Sequence, residues 1–564
     1  MKSEGPARDA QSSAPLRAGP RALVLIGLLC ATLLALLHGA RLGVAVPVSA
    51  PQGERIDCLS YAPFRRPGET PFDPRAFVDE ARIESDLRVL RGRTDCVRTY
   101  AVSQGLDAVP RVAQHLGMTV QLGAWLGRDR QANASELERA IAVARAHPQT
   151  VSAVVVGNEV MLRGELPPAE LLAHLRQVRE AVPMPVTYAD VWEFWMRYPA
   201  LAQAVTFVTI HALPYWEDEP VGIEVAVDHV VAVWHRMRGV FPELEIRIGE
   251  TGWPSAGRAR RDAVPGRIEQ ARFVREFTRA AAAHGIRYNL IEGFDQPWKR
   301  RLEGAMGGAW GLFDSQARPK FPWHGPVAAR EGWTAWRTAG LLGAVLGAIA
   351  FGLAGRGRGR AIHAVIGTLA GAGIGALLAE HAHRSIVWNR DAIEWLATGV
   401  AGATAVAASL AAALLVARRW GGHAGLTLPT AADTLAAWRR DRARPGLADT
   451  VALLHAGVLF AAALTGVLHA FDARYRGFDW TLLAGPAVAV LLMRCAGIRR
   501  APGALEERAL ALILAASAVV MVIAERPTNP QALAYAGLLL VLAWSGWDRA
   551  STSTESKAPT AAGS

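Results

Sequence analysis

Between residues 338 and 547 the chain is built mainly from Ala, Leu, Gly and Val, with its charges confined to short gaps. A helix needs about 20 apolar residues to cross the hydrocarbon core of a bilayer. Seven stretches have that character, near 338–355, 361–380, 394–416, 450–470, 480–496, 508–524 and 531–547. An eighth, Ala22 to Val46, follows Lys2, Arg8, Arg17 and Arg21. Its apolar run exceeds the usual signal-peptide core of about 7–15 residues, so it reads as an uncleaved anchor. The segment 51–330 is different, mixed and charge-rich. The overall figures of 51% apolar and 20% charged residues over 564 positions average two unlike halves and exclude a disordered chain.

The net charge of +11 does not point to nucleic acid, because much of the Arg excess sits in gaps between apolar runs. Examples are RGRGR (356–360), ARR (417–419), WRRDRAR (438–444) and IRR (498–500). With the N-terminus inside, the gaps at 356–360, 417–447 and 494–508 face the cytoplasm and are Arg-rich, as the positive-inside bias requires. The opposite gaps, 381–391, 471–479 and 525–530, carry two, two and one Arg. The expected order is a cytoplasmic tail (1–21), a transmembrane anchor (22–46), a periplasmic domain (51–330), a membrane domain of about seven helices (338–547) and a disordered cytoplasmic tail (548–564). That describes a multi-pass protein of a bacterial inner membrane. Cys58 and Cys96 fall in the exported part, on neighbouring predicted strands, where an oxidising compartment lets them pair. Two separate buried thiols are the alternative.

The exported part alternates short β-branched runs with helical-period stretches. The predicted strands are Ile56–Tyr61, Cys96–Tyr100, Thr119–Trp125, Val151–Glu159, Val186–Val191, Thr206–Leu213, Glu245–Glu250 and Tyr288–Phe294. Helices are predicted at 74–91, 104–116, 135–147, 167–181, 224–238 and 266–284, with start signals at Asp73–Pro74 and at Ser135 with Glu138. Eight such units over this length predict an α/β fold, a (β/α)₈ TIM barrel, preceded by one transmembrane helix and followed by an all-α multi-span domain. An open doubly wound sheet is the alternative, but no Gly-rich loop follows the first strand.

Reacting groups of such a barrel stand at the C-terminal strand ends. Strand four ends at Asn158-Glu159 and strand seven at Glu250, each after a buried apolar run where a carboxylate is costly unless partnered. One such Glu alone is more often half of a structural ion pair. Two on opposed strands suit glycosidic bond cleavage, where one carboxyl protonates the leaving oxygen and the other attacks or activates water. The remaining strand ends carry Tyr61, Arg98, Tyr100, Trp125, Tyr188, Asp190, His211, Tyr215, Trp216, Trp253, Glu292, Asp295, Trp298 and Lys299. As a group these read as a groove for a glycan, with aromatic faces for sugar rings and polar groups for hydroxyls. No Cys/His zinc spacing stands out, and this chemistry calls for neither metal nor cofactor.

CLSYAPF (58–64), CVRTYA (96–101), VVVGNEVMLRGE (154–165), IGETGWPSAGR (248–258), YNLIEGFDQPWKR (288–300) and GGAWGLFD (307–314) resemble glycoside hydrolase family 17, the β-1,3-glucanase family. The likeness is strongest to its bacterial membrane-bound glucanosyltransferase-like branch and covers about 55–325. It implies a retaining mechanism with Glu159 as acid/base and Glu250 as nucleophile, and Asn158 against the sugar 2-hydroxyl. It further implies a β-glucan substrate in the cell envelope, remodelled after a separate membrane synthase has made it. A catalytically inactive glycan-binding or glycan-export component is the rival reading. Two positions depart from the plant members: Gln296 stands near the strand-eight Lys in place of a carboxylate, and strand six reads HALPYW (211–216).

Overall fold

The computed structural model describes residues 19–547 except 333, 358, 421–426, 442–443, 472–476 and 502. Most of the tail expected at 1–21 and all of that expected at 548–564 lie outside the described residues. Eight parallel strands close into a barrel: β1 (Cys58–Ser60), β2 (Cys96–Arg98), β3 (Thr119–Ala124), β4 (Val151–Asn158), β5 (Val186–Val191), β6 (Val208–His211), β7 (Ile246–Thr251) and β8 (Tyr288–Leu290). Closure comes from β1 pairing with β8, Cys58 opposite Asn289 and Leu59 opposite Leu290. Leu59, Val97, Leu122, Val154, Val156, Ile210 and Leu290 are fully buried. Strands covered on both faces tolerate such continuous β-branched runs.

Helices fill the crossovers, and two begin elsewhere than the sequence signals suggest. The first runs Glu80–Arg91, because Asp79 accepts from the Arg82 backbone N–H and caps it. Asp73–Pro74 instead makes a turn, in which Asp73 accepts from the backbone N–H groups of Arg75 and Ala76. The helix expected from Ser135 starts at Arg130, where Asp129 accepts from Gln131 N and Ala132 N. Between β8 and the C-terminal helical domain the described residues form no long helix, but the short turns Pro297–Lys299, Arg300–Glu303 and Ala305–Gly308. Cys58 and Cys96 are joined by a disulfide that ties β1 to β2, with Cα atoms 4.6 Å apart.

The helix Pro20–Leu42 precedes the barrel, and a C-terminal helical domain follows it. Among the described residues, six helices are long and apolar enough to cross a membrane: Arg21–Leu42 within the first, then Ala335–Ala354, Gly359–Trp388, Ala392–Trp420, Leu447–Phe471 and Leu505–Glu525. Two shorter apolar helices, Thr481–Cys495 and Pro530–Gly546, complete the set read from the sequence. Gly359–Trp388 has 30 residues and is about 45 Å long at 1.5 Å per residue, more than a hydrocarbon core. It therefore absorbs His381 and His383, which the sequence pattern placed in a loop. Gly343 and Gly347 lie against the backbone of Gly371 and Gly367, leaving no room for a Cβ. Small residues at such a crossing let two apolar helices approach closely. The two-residue strands Ala45–Val46 and Val327–Ala328 pair antiparallel where the chain enters and leaves the barrel.

Candidate active site

The GNE run of β4 ends with Glu159 in a left-handed backbone conformation, φ 53° and ψ 33°. That turn is held from below. Tyr188 and Asp190 of β5 are buried, and Tyr188 donates to the Asp190 carboxylate. The Met161 N–H donates to Tyr188 Oη at 2.9 Å and to Asp190 Oδ2 at 3.2 Å. Burial pushes the Asp190 carboxyl up to about 6, against the pull of the Tyr188 hydroxyl. These two residues brace the Glu159 turn.

Glu250, on β7, is 5% exposed. One oxygen of Glu159, one of Glu250 and one ring nitrogen of His211 all lie within 4.8 Å of one another. His211 Nδ1–H donates to Glu159 Oε1 at 2.8 Å, and its Nε2 is 3.8 Å from Glu250 Oε1. Burial pushes the Glu159 carboxyl up, but the hydrogen bond and charge of His211, with Arg163 and Arg98, outweigh it and hold the group below its ordinary range. Tyr100 donates to Glu250 Oε1 at 2.9 Å. Burial, with the charges of Glu250 and Glu292, keeps that phenol protonated. The triad's spacing could also accept a cation, yet Arg98 Nη1, 3.5 Å from Glu250 Oε1, already supplies positive charge there.

Arg98 is 1% exposed and spans the centre of the barrel. It donates to Gly249 O and to Asn158 Oδ1, each at 2.6 Å. Asn158 is thereby oriented beside Glu159. Ser60 and Asn289 extend the network: Asn289 Nδ2 donates to Ser60 Oγ at 2.6 Å, and Ser60 Oγ lies 2.9 Å from Tyr100 Oη. Lys299 Nζ donates to Glu292 Oε2 at 2.9 Å, and burial still raises Glu292 to about 7.

Not every strand-end residue faces the opening. Tyr61 is buried with its hydroxyl on Asp86, and Asp295 is paired with Lys320 at 2.8 Å in a brace under the last loop. Tyr215 and Trp253 are fully buried, Tyr215 donating to Arg258 O and Trp253 to Val264 O. A ring with no accessible face has none to offer a sugar, so Tyr61, Tyr215 and Trp253 are supports of the site, and the partly buried Asp295 is held in its ion pair to Lys320. Trp125, 38% exposed under the Arg163 guanidinium, and the half-buried Trp216 and Trp298 remain at the surface. Sequence reasoning passed over Glu303. Burial raises its carboxyl, Lys299 opposes this, and the charges of Glu159 and Glu250 raise it further, so it lies within the field of both. Its four-residue spacing from Lys299 in a short helical turn was the available signal.

The glycoside hydrolase family model described as the BtgE/BtgC glycoside hydrolase domain matches residues 58–311. A glucan 1,3-beta-glucosidase of Arthroderma benhamiae is 27% identical over 262 residues, covering 43% of this chain and 84% of that protein. One from Candida albicans is 25% identical over 266 residues, covering 43% and 86%. The crystal structure of a glycoside hydrolase family 17 beta-1,3-glucanosyltransferase from Rhizomucor miehei aligns at 24% identity and a TM-score of 0.42, over 49% of this chain and 98% of that one. The family match, on a closed eight-stranded barrel with two carboxylates converging at its mouth, makes residues 58–311 a glycoside hydrolase enzyme domain similar to the BtgE/BtgC domain.

Proposed function

We propose that the chain is a membrane-anchored retaining β-1,3-glucan hydrolase or transglycosylase, with its barrel on the periplasmic side of a bacterial inner membrane. The observation that carries this reading is the approach of Glu159 and Glu250 oxygens to within 4.8 Å. Retaining pairs stand about 5–5.5 Å apart, whereas inverting pairs leave room for a water at about 6.5–9.5 Å. Glu250 attacks the anomeric carbon while Glu159 gives its proton to the leaving glycosidic oxygen. A glucosyl ester on Glu250 results. Glu159, now a carboxylate, takes the proton of the incoming hydroxyl, which attacks the anomeric carbon of the ester and frees Glu250 as a carboxylate. Water as acceptor gives hydrolysis, and a second glucan gives transfer. We favour transfer, from the resemblance to the membrane-bound glucanosyltransferase-like branch.

Arg98 and Tyr100 hold the Glu250 carboxylate in place, and Asn158, fixed by Arg98, is positioned for the 2-hydroxyl of the reacting sugar. Apolar helices, Arg-rich gaps on one side and the Cys58–Cys96 bond agree with a membrane protein whose barrel meets an oxidising compartment. That placement suits action on glucan released by a separate synthase. The test is to incubate the detergent-solubilised chain with defined β-1,3-oligosaccharides. Longer products mean transfer, shorter ones hydrolysis, and both should vanish in Glu250→Gln while glucan binding persists. Wild-type turnover by that variant would remove Glu250 as nucleophile, and a wild-type chain that binds without turnover would favour the glycan-binding reading.

A further inference from the structure

The loop after β7 connects the carboxylate of Glu250 to the helical domain. Residues 252–266 begin with Gly252-Trp253-Pro254 and then leave the barrel mouth. Arg258, near the middle of that loop, is 2% exposed. Its Nη2 lies 2.5 Å from Oε1 of Glu525, the last residue of the helix Leu505–Glu525, and its guanidinium sits 4.3 Å over the Phe478 ring. The other Glu525 oxygen accepts from the Arg261 backbone N–H at 3.0 Å and from Asn529 Nδ2 at 2.8 Å. Asn529 Nδ2 also donates to Ala259 O at 3.1 Å.

Glu525 is 5% exposed, so its charge has been taken out of water. A buried carboxylate is tolerated only when paired and hydrogen-bonded. Two of the three donors given above come from the barrel loop, so the helix end is built to receive that loop. Burying an ion pair is poor value as a source of stability, since apolar residues of similar volume often do as well. What the pair does supply is a single geometry. From Arg258 the constraint continues inward. Its carbonyl accepts from Tyr215 Oη at 2.6 Å, and Arg260 Nη1 donates to Tyr215 O at 2.7 Å. Tyr215 stands edge-on to Trp253 with ring centroids 5.9 Å apart, and Trp253 is three residues from Glu250. A second mouth segment is tied down in the same way, Arg300 Nη1 donating to Ile386 O at 3.1 Å beside Lys299 and Glu303.

We propose that Glu525 is a positioning residue for the reaction, acting through Arg258, Tyr215 and Trp253 on the placement of Glu250. The helical domain is then part of the catalytic apparatus as well as its tether. This rests on the glycosidase reading of Glu250. Displacement of a reacting group by about 1 Å can cost on the order of 10²-fold in rate. The full chain in detergent is compared with Glu525→Gln, an isosteric change that removes the negative charge opposite the Arg258 guanidinium. The expected result is a fall in kcat of about tenfold or more with KM within about threefold. Faster hydrogen exchange over 252–266, with the rest of the barrel unchanged, should accompany it. Asn529→Ser keeps a helix-capping oxygen but loses both donor contacts, and a smaller fall in kcat is expected. It decides the matter if Glu525→Gln does not fold. Glu219→Ala removes only the exposed pairs to Arg261 and Arg526 and should keep wild-type kcat. Wild-type kcat in folded Glu525→Gln, or in Asn529→Ser where the former fails to fold, would overturn the inference and leave the glucan reading intact. A wild-type chain inactive on every β-1,3-oligosaccharide would overturn both.

Discussion

His211 Nδ1 stands 2.8 Å from Glu159 Oε1, so one imidazole sets how readily that carboxyl keeps a proton. In the proposed reaction the leaving oxygen needs Glu159 protonated, and the acceptor needs it ionised. By holding the carboxyl low, His211 favours the second half of the cycle and moves the first toward acid pH.

Replacing His211 with Ala removes the largest lowering influence on Glu159. The carboxyl then stays protonated to higher pH, so the basic limb of the kcat/KM profile should shift upward. A profile measured on a β-1,3-oligosaccharide from acid to alkaline pH checks this. An unmoved or downward-shifted limb would separate His211 from the acid.

Glu159→Ala should cost about 10²–10⁴-fold on a natural glucan, the usual contribution of a general acid. An aryl glucoside whose leaving group needs no proton should still glycosylate Glu250. Added azide should then speed turnover and give a β-glucosyl azide, which carbon-13 or proton spectra would identify. An α-configured product would contradict retention.

Arg98 supports Asn158, Gly249 and Glu250 from a fully buried position. Arg98→Met leaves a buried carboxylate and amide unpaired and should cost about 3–5 kcal/mol of stability. Thermal unfolding followed by near-ultraviolet circular dichroism should show the loss. Arg98→Lys, keeping the charge without the fork, should fall between it and wild type.

The Cys58–Cys96 bond closes a segment of 38 residues between neighbouring strands. Replacing both with Ser should cost about 2–4 kcal/mol, with turnover at low temperature nearly unchanged. Reductant should lower the wild-type midpoint toward that of the variant and leave the variant unaffected.

The barrel was legible because strand residues such as Val154, Val156 and Ile248 are buried on both faces, and such runs stand out against helical periods. The apolar helices were legible for the same compositional reason. What a strand-end side chain faces was harder. Tyr188 within β5, and Tyr215 and Trp253 just past strands, stand where a sugar platform would, but local order does not record that their rings turn inward. Helix starts failed where two capping residues competed: Asp79 prevailed over Asp73, and Asp129 over Ser135. Glu525 and Arg258 lie 267 positions apart, and no short motif announces a pairing made only by docking.

The antiparallel pairing of Ala45–Val46 with Val327–Ala328 has a topological consequence. It brings the two chain crossings of the barrel side by side, above helices that already touch where Leu36 meets Gly340 and Trp336 meets Gly39. The sugar-processing module is thus a cassette inserted between consecutive helices of one scaffold. Evolution can exchange such an insert without rethreading the bundle beneath it, provided that the newcomer also brings a cation for Glu525.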